Sequence, residues 1–170
     1  MKRALVLFAC ALLACGKADG SGAETAPPAA FVSDDHGDGA AVFLRGRPEG
    51  DKLLVDVVAR GAPDLHGAAL RVKFDPSALK FVSAQASGVW SVSALSASKE
   101  GTPGQLAIAW IEKGEVGIGA TMESTLGTIT FERRTSSATS LEFKTERSGL
   151  VDHLGAPVAV AWHGGTVAAL

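Results

Sequence analysis

From Ala40 to the C terminus, apolar side chains recur at every second position rather than every third or fourth, and turn-forming residues break the alternation about every ten positions. In residues 67–74, Leu70, Val72 and Phe74 share one face and Ala69, Arg71 and Lys73 the other, which predicts a half-buried strand. Asp75-Pro76-Ser77-Ala78 predicts a turn, because proline pre-sets φ at its second position, and 79–84 resumes extended. Residues 41–45 and 52–60 read as neighbouring strands around a breaker-rich loop at 46–51. Further strands are predicted at 89–95, 105–111, 126–132 and 140–145. Residues 149–152 lead through His153-Leu154-Gly155 to a last long strand over 157–169, interrupted at Gly164-Gly165. No amphipathic helix competes, so about nine strands predict an all-β, two-sheet antiparallel sandwich.

The first residues follow a different rule. Lys2 and Arg3 precede an unbroken apolar run, Ala4 to Ala14, which ends at Cys15. Such a run spans about 16 Å as a helix, roughly half a bilayer core, so it predicts a secretion signal rather than a membrane span. Leu12-Leu13-Ala14-Cys15 resembles the lipobox of bacterial lipoproteins. That resemblance implies cleavage after residue 14, a diacylglycerol thioether on Cys15 and attachment to the envelope by lipid. Gly16, standing where inner-membrane retention favours Asp in the enteric pattern, points to the outer membrane. The expected organisation is a signal peptide at 1–14, a lipidated N terminus and flexible linker at 15–32, and one domain at 33–170. Residues 17–30, made of Ala, Gly, Ser, Pro and charge, form the mobile part of that linker.

Charge and chemistry narrow the function. Lys and Arg total 16 against 18 Asp and Glu, a net charge of -2, which leaves no cationic excess for a nucleic acid. Cleavage at Cys15 would remove Lys2 and Arg3 and take the formal charge to -4. Both cysteines, Cys10 and Cys15, lie in the first fifteen residues and build neither a disulfide framework nor a zinc site. Asp34-Asp35-His36-Gly37-Asp38-Gly39 begins like a calcium loop, but His36 takes a ligand place and Arg45 the place of the bidentate Glu. An acidic turn is the simpler reading, with a low-affinity Ca2+ site on Asp34 and Asp38 as the alternative; no cofactor is expected. His36, His66, His153 and His163 stand singly, the closely spaced glycines of 114–119 do not open a helix, and Glu112 and Glu115, at a strand end and in the loop after it, are a spacing that chance commonly produces. Catalysis is therefore not expected.

Three segments then resemble one family. Leu65-His66-Gly67-Ala68-Ala69-Leu70-Arg71-Val72-Lys73-Phe74-Asp75-Pro76-Ser77-Ala78-Leu79-Lys80-Phe81-Val82 is similar to the third and fourth strands of cohesin domains, with their Asp-Pro turn. Leu126-Gly127-Thr128-Ile129-Thr130-Phe131 resembles a later cohesin strand, and Leu150-Val151-Asp152-His153-Leu154-Gly155 followed by 158–167 resembles the family's close. The resemblance implies a nine-stranded jelly-roll sandwich related to carbohydrate-binding modules, and a non-catalytic module that binds a dockerin-like protein partner.

The family layout would place strands 67–74, 105–111 and 140–145 in one sheet. Their outward residues Ala69, Arg71, Lys73, Ala107, Ala109, Glu142 and Lys144 then form the candidate protein-docking face, small side chains rimmed by charge. The alternative function is a carbohydrate-binding module for polysaccharide or cell-wall glycan. It requires Trp90 or Trp162 to be exposed as a stacking platform; Trp110, in phase with Leu106 and Ile108, belongs to the core.

Overall fold

The computed structural model describes residues 31–169; the expected signal peptide, Cys15 and residues 17–30 lie outside the described residues. The alternation seen in the sequence becomes two packed sheets. In the smaller, β2 (Ala41–Glu49), β3 (Lys52–Arg60), β9 (Ser124–Arg133) and β5 (Leu79–Ala86) lie side by side, with β13 (Ala161–His163) on the free edge of β2. The larger sheet is organised around the longest strand, β4 (Ala62–Phe74). One edge of β4 carries β7 (Gln105–Ile111) and, end to end with it, β8 (Ile118–Ala120); β6 (Leu95–Glu100) extends the sheet beyond β7. The other edge carries β10 (Thr139–Phe143) and β11 (Gly149–Asp152) end to end, with a short 3-10 turn at Thr145–Arg147 between them. Beyond β10 lie β14 (Gly165–Val167) and β1 (Phe31–Ser33); beyond β11 lies β12 (Pro157–Val158).

The described residues thus form fourteen strand segments rather than nine, because both edges of β4 are filled by pairs of short strands. The strand expected over 157–169 is also cut in three, its first piece, 157–158, pairing with β11. Residues 161–163 pair with β2 and, one residue later, 165–167 pair with β10 and β1 in the other sheet. Gly164 makes this crossing: a Cβ there would lie 2.2 Å from the Leu141 carbonyl oxygen, so only glycine lets the chain pass. The β13–β2 pairing is parallel, which corrects the all-antiparallel expectation.

Two further corrections concern loops. The breaker-rich segment at 46–51 is mostly ladder, since β2 and β3 pair as far as Glu49 and Lys52, leaving Gly50 (φ 61°) and Asp51 as a two-residue turn. Gly46 is a seat rather than a breaker, because the Phe31 ring occupies the space a Cβ would need. Pro48 lies where β2 has no outer strand partner, so its missing N–H breaks no bond. Phe31 is also why the first strand starts two residues before position 33: its ring packs against the core and on Gly165 as well. The segment at 89–94, expected as strand, is turn; β6 begins only at Leu95.

Between the sheets lies one continuous core, in which Leu44, Leu53, Leu70, Leu106, Ile108, Trp110, Ile129 and Phe131 are almost wholly buried. A smaller cluster, Ala41, Phe43 and Val58, is buried on the outer side of the small sheet. There the guanidinium groups of Arg45 and Arg60 lie 5.4 and 5.3 Å from the Phe43 ring centre. The start of β2 is therefore covered on both faces, which accounts for its unbroken apolar run.

Candidate docking face

β4 presents Gly67, Ala69, Arg71 and Lys73 on its outer side, and the pairing registers carry this alternation across the sheet. One row runs Leu95, Ile111, Gly67, Val151 and Pro157 over five strands. The next runs Ala97, Ala109, Ala69 and Gly149. A third runs Lys99, Ala107 and Arg71, and Lys144 follows it, donating its backbone N–H to the Arg71 carbonyl at 2.8 Å. The fourth runs Gln105, Lys73 and Glu142, where Lys73 and Glu142 form a 3.8 Å ion pair. The seven residues singled out from the sequence thus share one surface.

That surface grades from apolar to cationic. Leu95, Ile111 and Val151 stand 52%, 43% and 37% exposed within the first row, an apolar stripe on the sheet's outer face. Between them the alanines and glycines leave shallow ground, including a hollow of about 100 Å³ over Gly67, Ala69 and Gly149. The flatness follows from sequence: no side chain larger than methyl stands in the second row. In the third row, the gap between β10 and β11 is closed by Ser148, whose hydroxyl accepts the Arg71 N–H (3.0 Å) and donates to the Lys144 carbonyl (2.9 Å). The edge strand β6 supplies Leu95, Ala97 and Lys99 to this face, and none of these was identified from the sequence.

Of the two tryptophans that the glycan reading offered, one lies in the core and the other is half-buried. Trp90 is 5% exposed, its indole N–H donating to the Leu126 carbonyl at 2.7 Å, and its ring centre is 6.5 Å from that of Trp110. This takes Trp90 out of the glycan reading, which needed Trp90 or Trp162 in solvent. Trp162 is half-buried, edge-on to Phe143 at 5.1 Å. Trp110 is buried as expected.

The acidic loop is organised by a cation of the chain itself. The Arg60 guanidinium donates two hydrogen bonds to the Asp35 carboxylate, at 2.9 and 3.0 Å, and others to the Asp38 and Gly39 carbonyls. These bonds hold the Asp35 carboxyl below the usual carboxylate range. Asp34 and Asp38 expose their side chains, and among the described residues no three His, Cys, Asp or Glu side chains gather as metal ligands.

Glu112 is buried, and Glu115 is exposed beside it in an open depression at one end of the sandwich. The Glu112 carboxylate accepts the Ser91 hydroxyl, the Ser91 N–H (2.8 Å) and the Lys113 N–H (2.9 Å). The Ser91 hydroxyl above all, then these amides, lowers its carboxyl to about 2. Such a group stays ionised and holds the 87–94 turn; a glycosidase acid needs the opposite shift. His153 lies against the Asp64 carboxylate, far from these residues in sequence but at the same end of the molecule.

No family model and no curated protein matches this sequence. Solved structures do. The sixth cohesin from Acetivibrio cellulolyticus scaffoldin B, solved in complex with a Cel5 dockerin mutant, aligns with a TM-score of 0.66 at 13% identity, covering 78% of this chain and 100% of that one. This chain has the cohesin fold. A type II cohesin domain from the cellulosome of the same organism aligns at 0.64 and 11% identity, over 76% of this chain and 95% of its own. The cohesin module from a Clostridium perfringens family 33 glycoside hydrolase aligns at 0.59 and 15%, over 75% and 92%. At these identities the likeness is one of backbone.

Proposed function

We propose that the protein is a non-catalytic recognition module that binds a dockerin-like protein partner through the outer face of its large sheet, and that lipid on Cys15 holds it to the bacterial envelope, at the outer membrane. The observation that carries the docking assignment is the pair of adjoining rows, exposed Leu95, Ile111 and Val151 beside flat Ala97, Ala109, Ala69 and Gly149. Such a surface suits a partner of similar flatness and offers no ring on which a sugar could stack. Several of the matched cohesins were solved bound to dockerins, including the Clostridium thermocellum OlpA cohesin with its dockerin (TM-score 0.65, 14% identity), which supports a dockerin-like partner here. The anchor rests on the Leu12 to Cys15 box.

The reading is tested by titrating the purified protein with a panel of purified dockerins, with and without chelator, by calorimetry. Binding by at least one dockerin, weakened at least tenfold by Ile111→Asp or Ala69→Arg in a protein of unchanged melting temperature, is the expected result. Binding to soluble glycans instead, lost on Trp162→Ala, overturns it. Metabolic labelling with a palmitate analogue, lost on Cys15→Ser, checks the anchor.

A further inference from the structure

Of the thirteen lysines and arginines among the described residues, five stand in ion pairs and eight do not, and half of those eight gather in one place. Arg45, Arg47, Arg60, Lys73 and Lys80 all stand in ion pairs with carboxylates. Arg71, Lys99, Lys144 and Arg147 stand in none within 4.0 Å, and these four line a single depression of about 150 Å³ at the cationic end of the docking face. No carboxylate lines it. Of the acids next to them in sequence, Glu142 pairs with Lys73 and Glu100 accepts the Gly104 N–H at 3.0 Å, while Glu146, exposed in the turn between Lys144 and Arg147, does not line the depression. A domain with more acids than bases has left four positive charges together without an internal partner, a cost in self-repulsion that a bound anion would remove.

The register shows where that anion would sit. Lys99, Ala107 and Arg71 are directly opposite one another on three neighbouring strands, and Lys144 adjoins Arg71 on the fourth. At about 4.8 Å per strand, the backbones of Lys99 and Arg71 are roughly 10 Å apart. The residue between them is an alanine, so two long cationic side chains flank a notch floored by a methyl group. Two adjoining hollows share these three residues, one opening toward the alanines of the flat row and the other toward Lys144 and Arg147. Arg71 spends one donor on the Leu70 carbonyl (3.2 Å), and Lys144 one on the Gln105 side-chain oxygen (3.0 Å), which keeps both heads at the rim with donors to spare.

We propose that the notch over Ala107 receives an aspartate or glutamate side chain of the docking partner, clamped between Lys99 and Arg71 with Lys144 and Arg147 behind. The proposal rests on the docking reading above and adds the chemistry of what docks: an acidic segment of a protein, oriented so that its carboxylate meets the cationic end while its apolar residues cover Leu95, Ile111 and Val151. Continuity with that apolar row favours a protein over a lipid headgroup, which would need the charges alone. The charges set register and accelerate encounter, and the apolar rows supply area.

Ala107→Glu tests this by supplying the carboxylate in cis. In an NMR pH titration of the purified protein, the introduced carboxyl is expected to titrate below the ordinary glutamate range, with an unchanged or higher melting temperature. A fluorescein-labelled hexaglutamate peptide is expected to bind the original protein at 10 mM NaCl, weaken on raising the salt to 150 mM, and bind the Ala107→Glu variant at least tenfold more weakly. Lys99→Ala, at an exposed position, weakens the peptide without disturbing the fold and keeps the test valid should the first variant misfold. A carboxyl at position 107 that titrates at or above the ordinary value, peptide binding indifferent to both substitutions, or binding to phosphatidylglycerol vesicles but not to the peptide would each overturn the proposal. Should Ile111→Asp abolish dockerin binding while Ala107→Glu leaves it intact, the docking face stands and the acidic seat falls; peptide binding lost on Ala107→Glu with no dockerin bound gives the reverse.

Discussion

Removing the Trp90 ring separates a core residue from a glycan platform by magnitude. At 5% exposure the side chain withdraws on the order of 200 Å² from water, an upper bound of about 5 kcal/mol at roughly 25 cal/mol per Å². With the cavity left behind, Trp90→Ala should cost about 3–5 kcal/mol. Trp90→Phe keeps most of the area and loses the indole N–H bond to the Leu126 carbonyl. That oxygen also accepts the Ser87 N–H at 3.0 Å, so it is not orphaned, and the loss stays at the usual net value, about 1 kcal/mol. For a domain of this size each kcal/mol moves the melting temperature by about 4 °C, so the expected drops are about 4 °C for phenylalanine and 12–20 °C for alanine. Calorimetry or circular dichroism melting reads both. A Trp90→Ala variant that melts within about 3 °C of the original would show the ring to be in solvent and return Trp90 to the glycan reading.

Gly127→Ala tests the closest packing between the sheets: the added Cβ would lie 2.3 Å from the Trp110 ring and 2.5 Å from the Gln85 carbonyl, both of them held in place. A loss of about 1–3 kcal/mol in urea unfolding is expected, and no loss would mean the ring can move aside. Glu112→Gln removes the ionised acceptor that captures Ser91. Because the Glu112 carboxyl is lowered from 4.5 to about 2, its contribution is complete above pH 4.5 and disappears as pH falls from there toward 2. Melting temperature should fall through that window more steeply for the original protein than for the variant, which should already be lower at pH 7; parallel profiles would exclude the clamp.

Local alternation was enough to find one half of the proposed docking face and not the other. Residues 67–74 and 105–111 alternate cleanly because each strand has one face in the core, and that period alone sorted Ala69, Arg71, Lys73, Ala107 and Ala109 outward. Residues 89–95 alternate just as well, yet they are turn. Ser91 gives its N–H and hydroxyl to Glu112, 21 residues further on, and Trp90 turns inward to Leu126, 36 residues further on. Nothing local announces either partner. The fourteen segments were equally hidden, since whether an edge of β4 is filled by one strand or two depends on pairing and not on pattern.

The displacement of that one strand decides the surface. A strand at 89–95 would end at Leu95, and Lys99 would fall in a loop with no fixed neighbour. With β6 at Leu95–Glu100, the register opposes Leu95 to Ile111, Ala97 to Ala109 and Lys99 to Ala107. A shift of one residue would turn Leu95, Ala97 and Lys99 to the other side and bring Ser96 and Ser98 onto the face, breaking the apolar row and opening the notch on one side. On the proposed docking reading, recognition therefore depends less on which residues the chain contains than on the alignment of β6 with β7. Outside the sheet, that alignment is supported by the Glu112 clamp at the end of β7. Loosening the clamp should accordingly weaken binding of the hexaglutamate peptide, although Glu112 is buried and does not line the notch.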